Sequence, residues 1–138
     1  GFNLWGDYTM ELQTSAQPYR LTLRYSSSFT PEGMESGTKD IFQDMAATLV
    51  AIGNLDEIEC AFQGDNDQSW SYVLTVEELN QALPQIVSAY NERFLNQKDC
   101  PLYASVKDYG DSCADLDQLY EAMWWAIELG AYTPQVQS

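Results

Sequence analysis

The stretch DYTMELQTSAQPYRLTLRY, residues 7–25, decides the fold. Tyr8, Met10 and Leu12 alternate with Asp7, Thr9 and Glu11. Tyr19, Leu21, Leu23 and Tyr25 then alternate with Arg20, Thr22 and Arg24. A period of two is the signature of a strand with one dry and one wet face. The link TSAQP is turn chemistry, and Pro18 bars a helix there. The two runs form a hairpin whose apolar side needs a covering layer. The same alternation puts Arg20 and Arg24 on one outward face with Thr22 between them, and they are two of only six basic residues. Two readings of that row are open. It could be ordinary cross-strand pairing with Asp7 and Glu11, or an anion site between two guanidinium groups.

Further along, residues 26–37 (SSSFTPEGMESG) read as a loop. Residues 39–52 take the helical period, with Ile41, Phe42, Met45, Ala46, Leu49, Val50 and Ile52 on one half of the wheel. Gly53 is placed to end that helix in the left-handed region. Glu57–Gln63 and Trp70–Thr75 read as a second hairpin around the turn GDNDQS. Thr75 and Glu78 have the spacing of a capping box. The stripe Leu79, Leu83, Ile86, Tyr90 and Phe94 follows, interrupted by Pro84, which predicts a kink or two helices. Residues 96–110 read as irregular, with a short strand near Ala104–Lys107. A last helix from Ser112 carries Leu116, Leu119, Tyr120, Met123 and Ile127 and stops at Gly130. The order ββ-α-ββ-αα-α predicts an α+β fold: an antiparallel sheet of two hairpins with helices on one face, in one domain over residues 1–138, with 131–138 as a frayed tail. Tyr8, Met10, Leu12, Leu21, Leu23, Ile58, Phe62 and Tyr72 are expected to share the buried face.

Composition narrows the function. The formal charge of −15 argues against nucleic acid, whose phosphates demand Lys and Arg. It also argues against docking on anionic lipid. No apolar run approaches the roughly 18 residues of a membrane helix, so no insertion by this segment is expected. The chain opens on Gly1 rather than Met, as a trimmed piece would. It contains no histidine, which removes Ser-His-Asp and Cys-His nucleophile systems and His-based zinc sites. Glycine-rich phosphate loops are absent, so no cofactor is called for. Asp65-Asn66-Asp67 resembles the start of a calcium loop, but Trp70 and Val76 stand where such a loop needs Gly and Glu. No metal site is assigned. Paired carboxylates for hydrolysis are unavoidable by chance among 21 acidic residues.

Of three cysteines, Cys60 falls on an inward strand position. Cys100 and Cys113 either pair, closing a loop of about 14 residues worth roughly 3 kcal/mol, or stay free. The acidic surroundings predict inert thiols. Trp125 and Leu129 form a narrow second apolar patch outside the main stripe of the last helix. It serves either as a contact between layers or as an exposed aromatic docking surface.

Three segments carry a resemblance: ELQTSAQPYRLTLRY, MAATLVAIGNLDEIECAF and SVKDYGDSCADLDQLY. Over about residues 7–122 the chain resembles an uncharacterised bacterial domain family. That family is found at the C-termini of BlaR/MecR-type antirepressor membrane peptidases and in secreted or lipid-anchored proteins of Gram-positive gut bacteria. The resemblance implies an extracytoplasmic or cell-surface module without catalysis and carries over no catalytic residue. The expected function is a binding or sensory domain for a protein or small-molecule ligand, with Arg20, Arg24, Trp125 and Leu129 as candidate binding residues. The alternatives are a structural interaction module using the aromatic helix face and a carboxylate-based hydrolase.

Overall fold

The computed structural model describes residues 6–26, 37–63, 69–134, 136 and 137. Strands β1 (Tyr8–Gln13) and β2 (Arg20–Tyr25) pair antiparallel, Met10 opposite Leu23 and Leu12 opposite Leu21. Helix α1 (Gly37–Ala51) follows. Then come β3 (Glu57–Gln63) and β4 (Ser69–Thr75), again antiparallel. Helix α2 (Val76–Arg93), a 3-10 helix (Val106–Asp111), helix α3 (Cys113–Glu128) and the two-residue strand β5 (Val136–Gln137) complete the order. The fold is α+β, as the two periodicities predict.

The expected antiparallel sheet is instead mixed. Its strands follow chain order, β1-β2-β3-β4-β5, and β2 and β3 run parallel, with Leu21 beside Ile58 and Leu23 beside Cys60. The cause is α1. It carries the chain back along the sheet, so the next strand starts from the same end and runs in the same direction as β2. Helix α1 packs on β3 and β4, and β1 lies on the far side of β2. The shared buried face therefore holds for Leu21, Leu23, Ile58, Phe62 and Tyr72 but fails for Met10 and Leu12, which are 65% and 61% exposed. Tyr8 is half-buried.

Aromatic contacts lock the rest of the core. Tyr25 stacks on Phe62 at 4.4 Å, and Phe42 meets Tyr72 edge-on at 5.8 Å. Helix α3 forms an outer layer whose main neighbours are α1 and α2 rather than the sheet. Polar bonds fix this layer: Gln43 Nε2 donates to the Tyr120 carbonyl at 2.9 Å, Tyr120 donates to Asp44 at 3.0 Å, and Tyr90 donates to Glu121 at 2.9 Å.

Four local expectations change. Helix α2 runs through Pro84 as one element, so the alternative of two helices there fails. The strand near Ala104–Lys107 is replaced by the 3-10 helix, started by a full capping box between Ser105 and Asp108. This 3-10 helix approaches α1 so closely that a Cβ on Gly110 would sit 3.2 Å from the Val50 carbonyl oxygen. Gly53 is not left-handed. Gly130 is, at φ 79°, and it closes α3 with bonds from Ala131 N to the Ala126 carbonyl and from its own N to the Ile127 carbonyl. The end of the chain is tied down where it is described. Tyr132 is buried and donates to Glu78, and Val136 pairs with Tyr72. The Asp65-Asn66-Asp67 turn and most of the loop 26–37 lie outside the described residues.

Candidate functional site

Among the described residues nothing covers one side of the first hairpin, which makes a groove of about 530 Å³. One wall is β1, through Tyr8, Met10 and Leu12. The floor is Leu21, Leu23 and Leu55, all buried. The other wall is the end of α1, through Thr48 and Ile52. Its lining is almost entirely carbon, in a protein whose surface is otherwise strongly acidic. Two sets of bonds hold the walls apart. The Tyr19 N–H donates to Asp56 Oδ2 at 2.8 Å, and the Tyr19 carbonyl accepts the N–H groups of Asp56 and Glu57 at 2.9 and 3.1 Å, which fastens the hairpin to the start of β3. At the other wall, the ammonium of Lys107 donates to the carbonyls of Leu49, in the last turn of α1, and of Ile52 (2.8 Å) and Leu55 (2.7 Å), in the segment that leaves it.

Arg20 and Arg24 lie on the opposite face, interleaved with carboxylates. Arg24 Nε donates to Glu11 Oε1 at 3.1 Å, as cross-strand pairing predicts. Arg20 turns away from β1 to the parallel neighbour β3, at 2.8 Å from Glu57 and 3.7 Å from Glu59. Thr22 donates to the same Glu59 carboxylate at 3.5 Å. Each guanidinium is thus paired with carboxylates, Arg24 with Glu11 and Arg20 with Glu57 and Glu59, although both side chains line one shallow hollow of that face.

Trp125 packs edge-on against Phe94 at 5.1 Å and against Trp124 at 5.0 Å, and the Arg93 guanidinium lies over its ring at 5.1 Å. Most of its face is thereby occupied within the chain. Leu129, just beyond, is 47% exposed. Trp125 sits on α3 and Leu129 caps its C-terminal end, both far in sequence from the groove.

A polar hollow of about 760 Å³ collects Asp56, Glu57, Glu77, Asn80 and Gln81. It is the best place for a carboxylate pair, but Asp56 is used by the Tyr19 N–H and Glu57 by Arg20. Two free acids facing one substrate bond are not assembled there. No group of three or more metal-ligating side chains occurs among the described residues, and no described helix is long and apolar enough to cross a membrane.

A family model described as a domain of unknown function, DUF4825, matches residues 3–75, more than half of the chain. The chain belongs to this family. The matched part runs from β1 through β4 and contains every residue that lines the groove, whereas Trp125 and Leu129 fall outside it. No curated protein and no solved structure matches the chain.

Sequence reasoning missed the groove because alternation assigns a face to each side chain without saying whether anything covers it. The overlooked signal was the helix between β2 and β3, which forces a parallel pair and leaves β1 outside the helical layer. Lys107 was also missed. It lies in a segment read as a strand, and no local pattern links it to the end of α1. The three thiols are free. Burial pushes Cys60 well above the ordinary thiol range and Cys100 up to about 11, with Asp115 adding to the latter, while Cys113 is exposed.

Proposed function

We propose that this chain is a non-catalytic binding or sensory domain acting outside the cytoplasmic membrane, with the apolar groove between β1 and the end of α1 as its ligand surface. The observation that carries this reading is the exposure of Met10 and Leu12 beside the buried Leu21 and Leu23. An open apolar cleft rimmed by polar surface is a recurring mark of a binding site. The location of the groove within the family-matching half supports it. The extracytoplasmic placement rests on the resemblance of the hairpin and of the helix-to-strand joint to modules attached to BlaR/MecR-type peptidases and secreted proteins of Gram-positive bacteria. The Trp125 patch is a weaker surface because Arg93 and Phe94 already cover its ring. A hydrolase lacks a free carboxylate pair in the polar hollow.

The test is titration with a neutral apolar dye such as Nile red. Met10→Ser combined with Leu12→Ser should weaken dye binding by at least about tenfold, since each loses an apolar contact worth on the order of 1 kcal/mol or more. The thermal midpoint should stay put because both side chains are already exposed. Undiminished dye binding by the double variant would refute the groove as the site.

A further inference from the structure

Strand β1 has a partner on one side only. Its neighbour is β2, and no described residue pairs along its other edge. The register tells which backbone groups face outward. The Asp7 carbonyl accepts the Ser26 N–H at 3.2 Å, so Asp7 begins the hydrogen-bonded set of the antiparallel ladder. Alternation then turns Thr9, Glu11 and Gln13 toward β2. It leaves the N–H and C=O groups of Tyr8, Met10 and Leu12 turned to the open edge. These are the same three residues whose side chains form the wall of the groove. One set of residues therefore offers unpaired backbone groups and apolar contact together.

Resting on the groove as the ligand surface, we propose that the occupant is an extended peptide segment that adds to β1 as a sixth strand, with apolar residues alternating with basic ones. Residues opposite each other in a sheet point to the same face. Those opposite Tyr8, Met10 and Leu12 lie on the groove side of the sheet, against these three side chains. Those opposite Thr9 and Glu11 lie on the far face, beside the carboxylates of Asp7 and Glu11, the latter shared with Arg24. Backbone bonds supply affinity and the alternating side chains supply selectivity, as in other strand-addition complexes. Charge decides between occupants. A second copy would bring another −15 charge, and the repulsion between two such chains opposes their association. A cationic strand is attracted by the same field.

The probe is a fluorescein-labelled peptide of about nine residues alternating valine with lysine, followed by anisotropy at low salt. Two controls accompany it: the same peptide N-methylated at the valines, and a version with glutamate for lysine. Met10→Pro is the companion variant. It removes an N–H that makes no bond to β2, so the hairpin keeps its ladder, and its thermal midpoint and dye binding are measured alongside. The expected result is saturable binding of the parent peptide, weakened at least about tenfold by N-methylation, by glutamate and by Met10→Pro. Equal binding of the N-methylated and parent peptides, with loss in the Met10→Ser/Leu12→Ser protein, would overturn strand addition while leaving the groove as a site. Dye binding in the groove without peptide binding would do the same. A dimer in light scattering that Met10→Pro dissociates, with no peptide binding, would replace the peptide by a second copy. Failure of both dye and peptide would remove the groove reading itself.

Discussion

Lys107 is one of six cations, and it is spent on three backbone carbonyls rather than on any of the abundant carboxylates. Its ammonium closes the C-terminal end of α1 at Leu49, Ile52 and Leu55. Burial lowers its pKa, and Asp56 opposes that shift. Lys107→Met keeps the aliphatic stem but removes the ammonium donor from all three carbonyls, of which Ile52 alone keeps the Leu55 N–H at 3.1 Å, and the helix end loses its compensating charge. A loss of about 2–3 kcal/mol is expected from a charged hydrogen-bonding group of this kind, read as a lower urea midpoint at unchanged slope. Because Ile52 and Leu55 also line the groove, dye affinity should fall in the same variant. A stability change within about 0.5 kcal/mol, the range of an ordinary surface substitution, would show that water replaces the ammonium at no cost. Residues such as Met10 and Leu12 were legible as one face of a strand. Their exposure was not, since it depends on where α1 crosses.

At the scale of elements, local chemistry predicts helix starts better than strand partners. The Thr75 cap of α2 was readable from spacing, and its hydroxyl accepts the Glu78 N–H at 3.0 Å. The Ser105–Asp108 box was equally readable and would have argued against a strand at Ala104–Lys107. Parallel pairing of β2 with β3 was not readable from alternation, because Leu21, Leu23, Ile58 and Cys60 show the same period in either direction. The start of α2 also carries a pH dependence. Burial raises the pKa of Glu78 above its ordinary 4.5, against opposing hydrogen bonds from the Tyr132 hydroxyl and the Thr75 backbone. The folded state then holds a proton that the unfolded chain has released, so this group's contribution to stability falls as pH rises through the window just above 4.5. Glu78→Gln keeps an acceptor for Tyr132 and abolishes that slope. Between pH 4.5 and 7, its stability relative to the native protein should rise with pH in paired denaturation curves. A constant difference across that range would mean that Glu78 does not titrate differently on folding.

For the molecule as a whole, the buried tyrosines set its alkaline limit. Tyr90 ties α2 to α3 through Glu121, Tyr120 ties α3 to α1 through Asp44, and Tyr109 ties the 3-10 helix to Pro101 and Tyr103. Burial, with Glu121 acting on Tyr90 and Asp44 on Tyr120, raises each to about 12. Tyr25 and Tyr132 are raised further, chiefly by burial. All start from an ordinary value of 10.0, so above that pH the unfolded chain loses protons that the folded one keeps. The sign is then fixed: stability falls with rising pH from about 10 upward, and several groups act in the same direction. The already large negative charge adds self-repulsion as phenolates form. Alkaline titration followed at 295 nm should show the phenolates of the buried tyrosines emerging together with the loss of near-ultraviolet circular dichroism, in one cooperative step. A smooth, independent titration of all nine tyrosines near 10 with the dichroism intact would contradict the packing of the outer helical layer. The contrast with the groove is physical: the tyrosine side of the molecule is closed by hydrogen bonds among α1, α2 and α3, while the β1 side keeps both its apolar wall and its backbone edge unpaired among the described residues.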